Sequence, residues 1–185
     1  MRWTLAALCV LVITGCGHSS ATLSASAAKN LVLHEADLGP GYVSFASAPT
    51  SSLDVQGTNR SDLARFGRKG GWVERLKRSS PPGLVVSTVD VFRDHKGASA
   101  DLSAYGDGLA RQRSDALAIR MSAPGIGDGP TIAAELVAPG GQKEYSVAWT
   151  FRNASASVTA IGPQSLHLAD VVALARKQQA KLVRN

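Results

Sequence analysis

The sequence predicts an α+β domain built on a single antiparallel sheet of six or seven strands covered by about three helices. Three observations lead there. Apolar and polar residues alternate in several short stretches, most clearly Tyr145, Val147, Trp149 and Phe151 against Glu144, Ser146, Thr150 and Arg152. Two longer stretches repeat instead at helical spacing, Ala98, Leu102, Tyr105 and Leu109 in one and Leu168, Val171, Val172, Ala175 and Leu182 in the other. The strand-like stretches succeed one another across short glycine-containing turns, which pair strands antiparallel and leave the helices to cover the sheet.

In order, a short helix is expected over Leu23 to Leu33, ended by the turn Asp37-Leu38-Gly39-Pro40-Gly41, where proline and two glycines cannot continue it. A strand follows from Tyr42 to Ser47, and the serines, threonines and proline of Ala48 to Arg60 read as a loop. Ser61 to Gly71 is ambiguous: Leu63 and Phe66 have helical spacing, while Gly67, Gly70 and Gly71 keep any helix brief. Trp72 to Lys77 and Leu84 to Phe92 form a hairpin pair around Ser80-Pro81-Pro82-Gly83, with Val85, Val89 and Val91 on one face of the second strand. Asp94 is placed to cap the next helix, in which Gly106 and Gly108 mark either close packing or fraying. Strands are expected over Ala116 to Met121, Thr131 to Val137, Lys143 to Arg152 and Ser157 to Ile161. A last helix, Leu166 to Val183, gathers Arg176, Lys177, Lys181 and Arg184 near the end where cations suit the helix dipole.

The N-terminus carries a different kind of information. One positive charge, Arg2, precedes an apolar run from Trp3 to Ile13, and Ile13-Thr14-Gly15-Cys16 closes it. A run of this length falls in the range of about 7–15 residues of a signal-peptide core and short of the roughly 20 a spanning helix needs. The four residues resemble the lipobox of bacterial lipoproteins. That resemblance implies a diacylglyceryl group on the sulfur of Cys16, cleavage before it and acylation of the new N-terminus. The competing reading is a secretory signal cut after Ala21 or Ala25. Residues 1–15 are thus read as a lipoprotein signal peptide, 16–26 as lipidated cysteine and tether, and 27–185 as one globular domain. The protein is placed outside the cytoplasm, lipid-anchored to the cell membrane, or to an outer membrane if the host has one. Cys9 leaves with the signal, so no thiol remains for a disulfide or a metal.

Arg2 also leaves, so that 19 Lys and Arg face 14 Asp and Glu, a net charge of +5. Arg60, Arg65, Arg68, Lys69, Arg75, Lys77 and Arg78 cluster against only Asp62 and Glu74. Such a patch suits anionic headgroups or an anionic wall polymer, or else forms a solvated strand edge. Nucleic acid is not expected: aromatic content is 5%, no binding motif is present, and the signal directs export.

The search for catalytic chemistry finds no G-x-S-x-G elbow, H-E-x-x-H pair, phosphate loop or cysteine nucleophile. His34, His95 and His167 fall at element boundaries, where they read as surface or capping residues. His34-Glu35-Ala36-Asp37 is too short a cluster for a metal without distant ligands. Gly125-Ile126-Gly127-Asp128-Gly129-Pro130 reads as a turn between strands, and Asn153-Ala154-Ser155 as a hairpin turn rather than a glycosylation acceptor. No cofactor is expected.

Several short motifs together resemble a family of small actinobacterial-type envelope lipoproteins. They are Asp37-Leu38-Gly39-Pro40-Gly41-Tyr42, Val91-Phe92-Arg93-Asp94 before an Ala-rich helix, Ile126-Gly127-Asp128 before a strand, and Val147 to Val158 before a terminal Leu174-Ala175-Arg176 helix. These proteins are similar in outline to PsbP-like lipoproteins and to the extracellular sensor domains of actinobacterial kinases, so the resemblance implies an α/β/α sandwich. The functional expectation is a non-catalytic binding or sensing module for an apolar or lipid-like ligand or an envelope protein. Trp72, Tyr145, Trp149 and Phe151 are its candidate lining residues, or else plain core. The alternative is an envelope hydrolase whose site, around Asp37 or Asp128, lacks a local signature.

Overall fold

The structure, a computed structural model, describes residues 22–50, 65–112, 117–121, 123–137 and 141–185. Residues 1–15, expected to be a signal peptide, and Cys16 and Arg60 lie outside the described residues.

Among the described residues seven strands form one sheet: β1 (Tyr42–Pro49), β2 (Arg68–Arg78), β3 (Gly83–Phe92), β4 (Leu117–Met121), β5 (Thr131–Val137), β6 (Lys143–Phe151) and β7 (Ala154–Gly162). Their spatial order is β1-β2-β3-β7-β6-β5-β4, and every neighbouring pair is antiparallel. Three α-helices accompany them among the described residues: α1 (Ala28–Leu31), α2 (His95–Gln112) and α3 (Leu168–Arg184). The expected α+β class, with a single antiparallel sheet and three helices, is what the chain adopts.

The pleat sends successive residues of each strand to opposite faces. Val85, Val89, Tyr145, Val147, Trp149, Ala156 and Val158 meet Val171, Val172, Ala175 and Leu182 of α3 and Leu31 beside it in the larger core. Ile132 and Ala148 point the other way, to Leu102 of α2, with Tyr105 and Leu109 packed alongside. Helices therefore cover both faces, giving an α/β/α sandwich. The polar residues of the α2-facing side are satisfied rather than solvated: Ser146 Oγ bridges Tyr105 Oη at 2.7 Å and Thr159 Oγ1 at 2.9 Å. Gln178 of α3, fully buried, accepts from Ser87 Oγ at 2.9 Å and donates to the Thr88 carbonyl at 3.0 Å. Ser87 Oγ in turn accepts the N–H of Leu33 at 2.9 Å, so one hydroxyl ties the N-terminal segment, β3 and α3 together.

Three expectations change in detail. The first helix is shorter than Leu23 to Leu33: a 3₁₀ turn, Ala25–Ala27, leads into the single turn of α1, and the backbone is extended at Val32. Leu31, Val32 and Leu33 are all fully buried, which three consecutive positions on a helix surface cannot achieve. β2 begins at Arg68 and takes in Gly70 and Gly71, with a register shift between Arg68 and Gly70. Gly71 is required there by a close approach, since a Cβ at that position would lie 2.6 Å from the Val89 carbonyl. β7 begins at Ala154 rather than Ser157, because Arg152 and Asn153 alone make the turn from β6.

Other expectations hold. Asp94 caps α2, its Oδ1 accepting the Gly97 N–H at 2.9 Å. Gly106 packs closely, an added Cβ there falling 2.8 Å from Ile132 Cδ1, whereas nothing lies within 4 Å of one at Gly108. His34 and His167 each precede a helical turn, and their N–H groups donate to Asp37 at 2.8 Å and Asp170 at 2.9 Å. The edge strand β1 is irregular: its register with β2 shifts between Ser44 and Ala46, leaving Phe45 half exposed at a bulge, a common device against edge pairing.

Candidate functional site

One end of the sheet gathers segments far apart in sequence. The β3–α2 junction supplies Arg93, Asp94 and His95, the turn before β5 supplies Asp128, and the β6–β7 turn supplies Arg152 and Asn153. With Thr22 they line an open cleft of about 380 Å³. The convergence follows from topology: β7 lies between β3 and β6, so the β6–β7 turn sits beside the end of β3.

Asn153 is the buried base of this end. Its side-chain amide accepts the Leu23 N–H at 2.7 Å and donates to the carbonyls of Leu23 at 3.0 Å and Phe92 at 2.8 Å. Its own carbonyl accepts the Phe92 N–H at 2.8 Å. Arg152, beside it, has a φ of 52°, uncommon for a residue with a side chain. Two hydrogen bonds hold it there: its N–H donates to Asp128 Oδ2 at 2.5 Å, and its carbonyl accepts from His95 Nδ1 at 2.7 Å. Asp128 is positioned by its own N–H, which donates to the Thr150 carbonyl at 3.0 Å, and by Gly127, whose φ of 72° sets the turn. A Cβ at Gly127 would lie 2.5 Å from the Thr150 carbonyl.

The electrostatics are mixed and well exposed. The side chains of Arg93, Asp94 and His95 are each at least half exposed, and Arg93 Nε approaches Asp94 Oδ2 at 3.4 Å. The N-cap bond from Gly97 holds the Asp94 carboxyl below the usual carboxylate range, and the neighbouring Arg93 acts in the same direction. His95 must protonate Nδ1 to reach a carbonyl, so its Nε2 is free to accept from Ser99 Oγ, 3.2 Å away. This is not a nucleophile–base–carboxylate relay: Asp128 Oδ1 stands 3.9 Å from Nδ1, outside hydrogen-bond range, and the Nδ1 proton is already engaged. Asp37, the other acid considered for hydrolysis, is at the far side of the fold, paired with Lys181 and accepting the His34 N–H. Among the described residues no group of three or more His, Cys, Asp or Glu is arranged to hold a metal.

The four candidate aromatics do not line this cleft. Trp149 is fully enclosed, with its Nε1 donating to Gln179 Oε1 at 2.7 Å, and Tyr145 is buried with its hydroxyl donating to Glu135 Oε1 at 3.0 Å. Trp72 and Phe151 pack partly buried against the same core. Lys29 lies over the Trp72 ring at 5.4 Å from its centroid and Arg152 over Phe151 at 4.9 Å.

The basic cluster read from the sequence is distributed, not gathered. Arg68 and Arg78 are the two ends of β2, about 33 Å apart at strand rise. Arg68 is not at the surface: its side chain is 6% exposed, and its guanidinium bonds Asp90 and Thr50, with Thr50 Oγ1 donating to Asp90 Oδ1 at 2.8 Å. It sits beside the register shift between Arg68 and Gly70, and the buried carboxylate of Asp90 on β3 compensates its charge. Arg65 and Lys69 are exposed near the cleft end, Lys77 is exposed near the other, and Arg75 and Arg78 are half-buried. Arg78 lies over the Tyr42 ring and Lys77 over Phe45.

An open, seven-stranded antiparallel sheet between helices, with a charged cleft at one end, defines the class of domain. The crystal structure of the extracellular domain of PknH from Mycobacterium tuberculosis is similar to it, with a TM-score of 0.63 at 12% sequence identity, covering 87% of this chain and 98% of that one. At that identity the likeness is one of fold. No protein-family model matches the chain, and no curated protein matches it by sequence. No helix among the described residues is long and apolar enough to cross a membrane.

Proposed function

We propose that this chain is a lipid-anchored, extracytoplasmic, non-catalytic binding module that works through the charged end of its sheet rather than through an interior apolar cavity. Ile13-Thr14-Gly15-Cys16 supports the anchor, and the fold shared with an extracellular domain supports the compartment. The observation that carries the reading is the convergence of Arg93, Asp94, His95, Asp128 and Arg152 in an open cleft that Thr22 also lines. At this end Asp128 holds a turn and the His95 Nδ1 proton goes to a carbonyl, which favours binding over catalysis as its role. The enclosed Trp149 and Tyr145 leave the aromatic face to packing, which moves the ligand reading from an apolar molecule toward polar, charged groups at the envelope surface.

Cell fractionation tests the placement. Wild-type protein is expected in the membrane fraction, with its domain digested by protease added outside intact cells or spheroplasts. The Cys16→Ala variant is expected to lose acylation and to remain held, if at all, only by an uncleaved signal. Protection of the wild-type domain from external protease contradicts the reading.

A further inference from the structure

Thr22, the first described residue, lies at the cleft end of the sheet, and several basic side chains share that end. Both backbone polar groups of Leu23 are held by Asn153, so Thr22 is fixed beside the β6–β7 turn. The exposed side chains of Arg65, Lys69, Arg93 and Lys96 and the half-buried Arg152 belong to the same end of the sheet. Arg93 N–H donates to the Gly67 carbonyl at 2.9 Å, which joins the Arg65 turn to the start of α2. The carboxylates of Asp94 and Asp128 stand against these cations, and the Arg68–Asp90 pair is buried and self-compensating.

Resting on the lipid-anchor reading above, we infer that this basic end docks on the anionic headgroups of the membrane that holds Cys16. The length of chain between anchor and domain decides the orientation. Six peptide links join Cys16 to Thr22, and even fully extended they reach only about 20 Å. The hairpin at the far end of β2 and β3 lies about 30 Å from the cleft end at strand rise. A tether of that length cannot run back along the domain to turn the far end to the membrane with the cleft end facing away from it. The end that carries Arg65, Lys69, Arg93, Lys96 and Arg152 is therefore the one delivered to the headgroup layer, where each basic residue near an anionic surface strengthens binding by about fivefold. The two signals act together: acyl chains hold the molecule to the bilayer, and the basic end fixes how the domain sits on it.

Lysine labelling on vesicles reads this out. The acylated full-length mature protein is reconstituted in vesicles of pure phosphatidylcholine or of phosphatidylcholine mixed with anionic phosphatidylglycerol, whose negative surface potential attracts basic segments. Amine-reactive reagent is then added from outside and modification is read by mass spectrometry. Lys69 and Lys77 are both exposed on β2, about 26 Å apart, so the second is an internal control for the first. On anionic vesicles Lys69 and Lys96 are expected to label at least about fivefold more slowly than on phosphatidylcholine, while Lys77 is unchanged, and 0.5 M salt is expected to abolish the difference. The R93E/K96E double variant, at two exposed positions, is expected to float with the vesicles, unfold at the wild-type temperature and lose the protection of Lys69. Equal labelling of all three lysines on both vesicles, in protein that floats, overturns the docking alone. Protection of Lys77 in place of Lys69 overturns the orientation. Protein that floats with neither vesicle overturns the anchor, and the docking with it.

Discussion

Asn153 closes a hydrogen-bonded ring around Leu23, accepting its N–H at 2.7 Å and donating to its carbonyl at 3.0 Å across 130 residues of sequence. The same amide reaches Phe92, so one side chain ties the start of the domain to β3 and to the turn between β6 and β7. It is buried, and every group its side chain holds is a backbone group.

Asn153→Ala is expected to destabilise the protein by about 3 kcal/mol, since stranding a buried donor or acceptor costs about 1–3 kcal/mol for each group and more than one is stranded here. Urea denaturation followed by far-UV circular dichroism measures it. Backbone hydrogen exchange at Leu23 is expected to accelerate in the variant while exchange in α3 keeps its relative protection. A loss under about 0.5 kcal/mol, the level of an ordinary surface change, contradicts the clamp.

Gly127→Ala forces a Cβ to 2.5 Å from the Thr150 carbonyl at a backbone φ of 72°. A loss of about 2–3 kcal/mol is expected from the clash and the left-handed backbone together. Because Asp128 follows directly, the bond from Arg152 N–H to its carboxylate is expected to lengthen, and the Arg152 amide to exchange faster than in wild type. Gly108→Ala, with nothing within 4 Å of the new Cβ, is the matched control and is expected to stabilise α2 by up to about 1 kcal/mol.

Asp37 supplies a pH dependence with a definite sign. Burial alone pushes its carboxyl up, but the Lys181 ammonium and the His34 N–H outweigh burial and hold it below the usual range. A carboxyl whose pKa is lower folded than unfolded contributes stability that is full above the unfolded value of about 3.9 and is lost as pH falls through the folded value. Asp37→Asn is thus expected to lower stability by about 1 kcal/mol at pH 7, the pair being partly open to solvent, and the gap to wild type is expected to close below about pH 4. Thermal melts of both proteins from pH 3 to 7 check it; a gap that widens on acidification contradicts the sign.

Sequence periodicity located what depends on local pattern. The stripe Ala98, Leu102, Tyr105 and Leu109, the α3 stripe and the Asp94 cap all reappear, because helical spacing and an N-cap act within a few residues. Ser146 and Thr150 fall on the polar face of their strand and are nonetheless buried, since α2 covers that face and leaves no mark on the β6 sequence. The glycines of β2 read as breakers, although Gly71 is small because Val89 and Asp90 of the next strand crowd it. The cleft itself was visible only in pieces: Arg93-Asp94, Gly127-Asp128 and Arg152-Asn153 each look like turn or cap chemistry. Only the placement of β7 between β3 and β6 joins them. The basic run from Arg65 to Arg78 shows the reverse, residues close in sequence that an eleven-residue strand carries to opposite ends.

Mass spectrometry of the N-terminal peptide of protein purified from its native membrane is the most direct measurement. The expected peptide begins at Cys16 and carries a diacylglyceryl group on sulfur and an acyl group on the new amine, and Cys16→Ala yields no such species. An unmodified N-terminus beyond Cys16, such as one generated by cleavage after Ala21 or Ala25, contradicts the membrane-held module and the docking that depends on it.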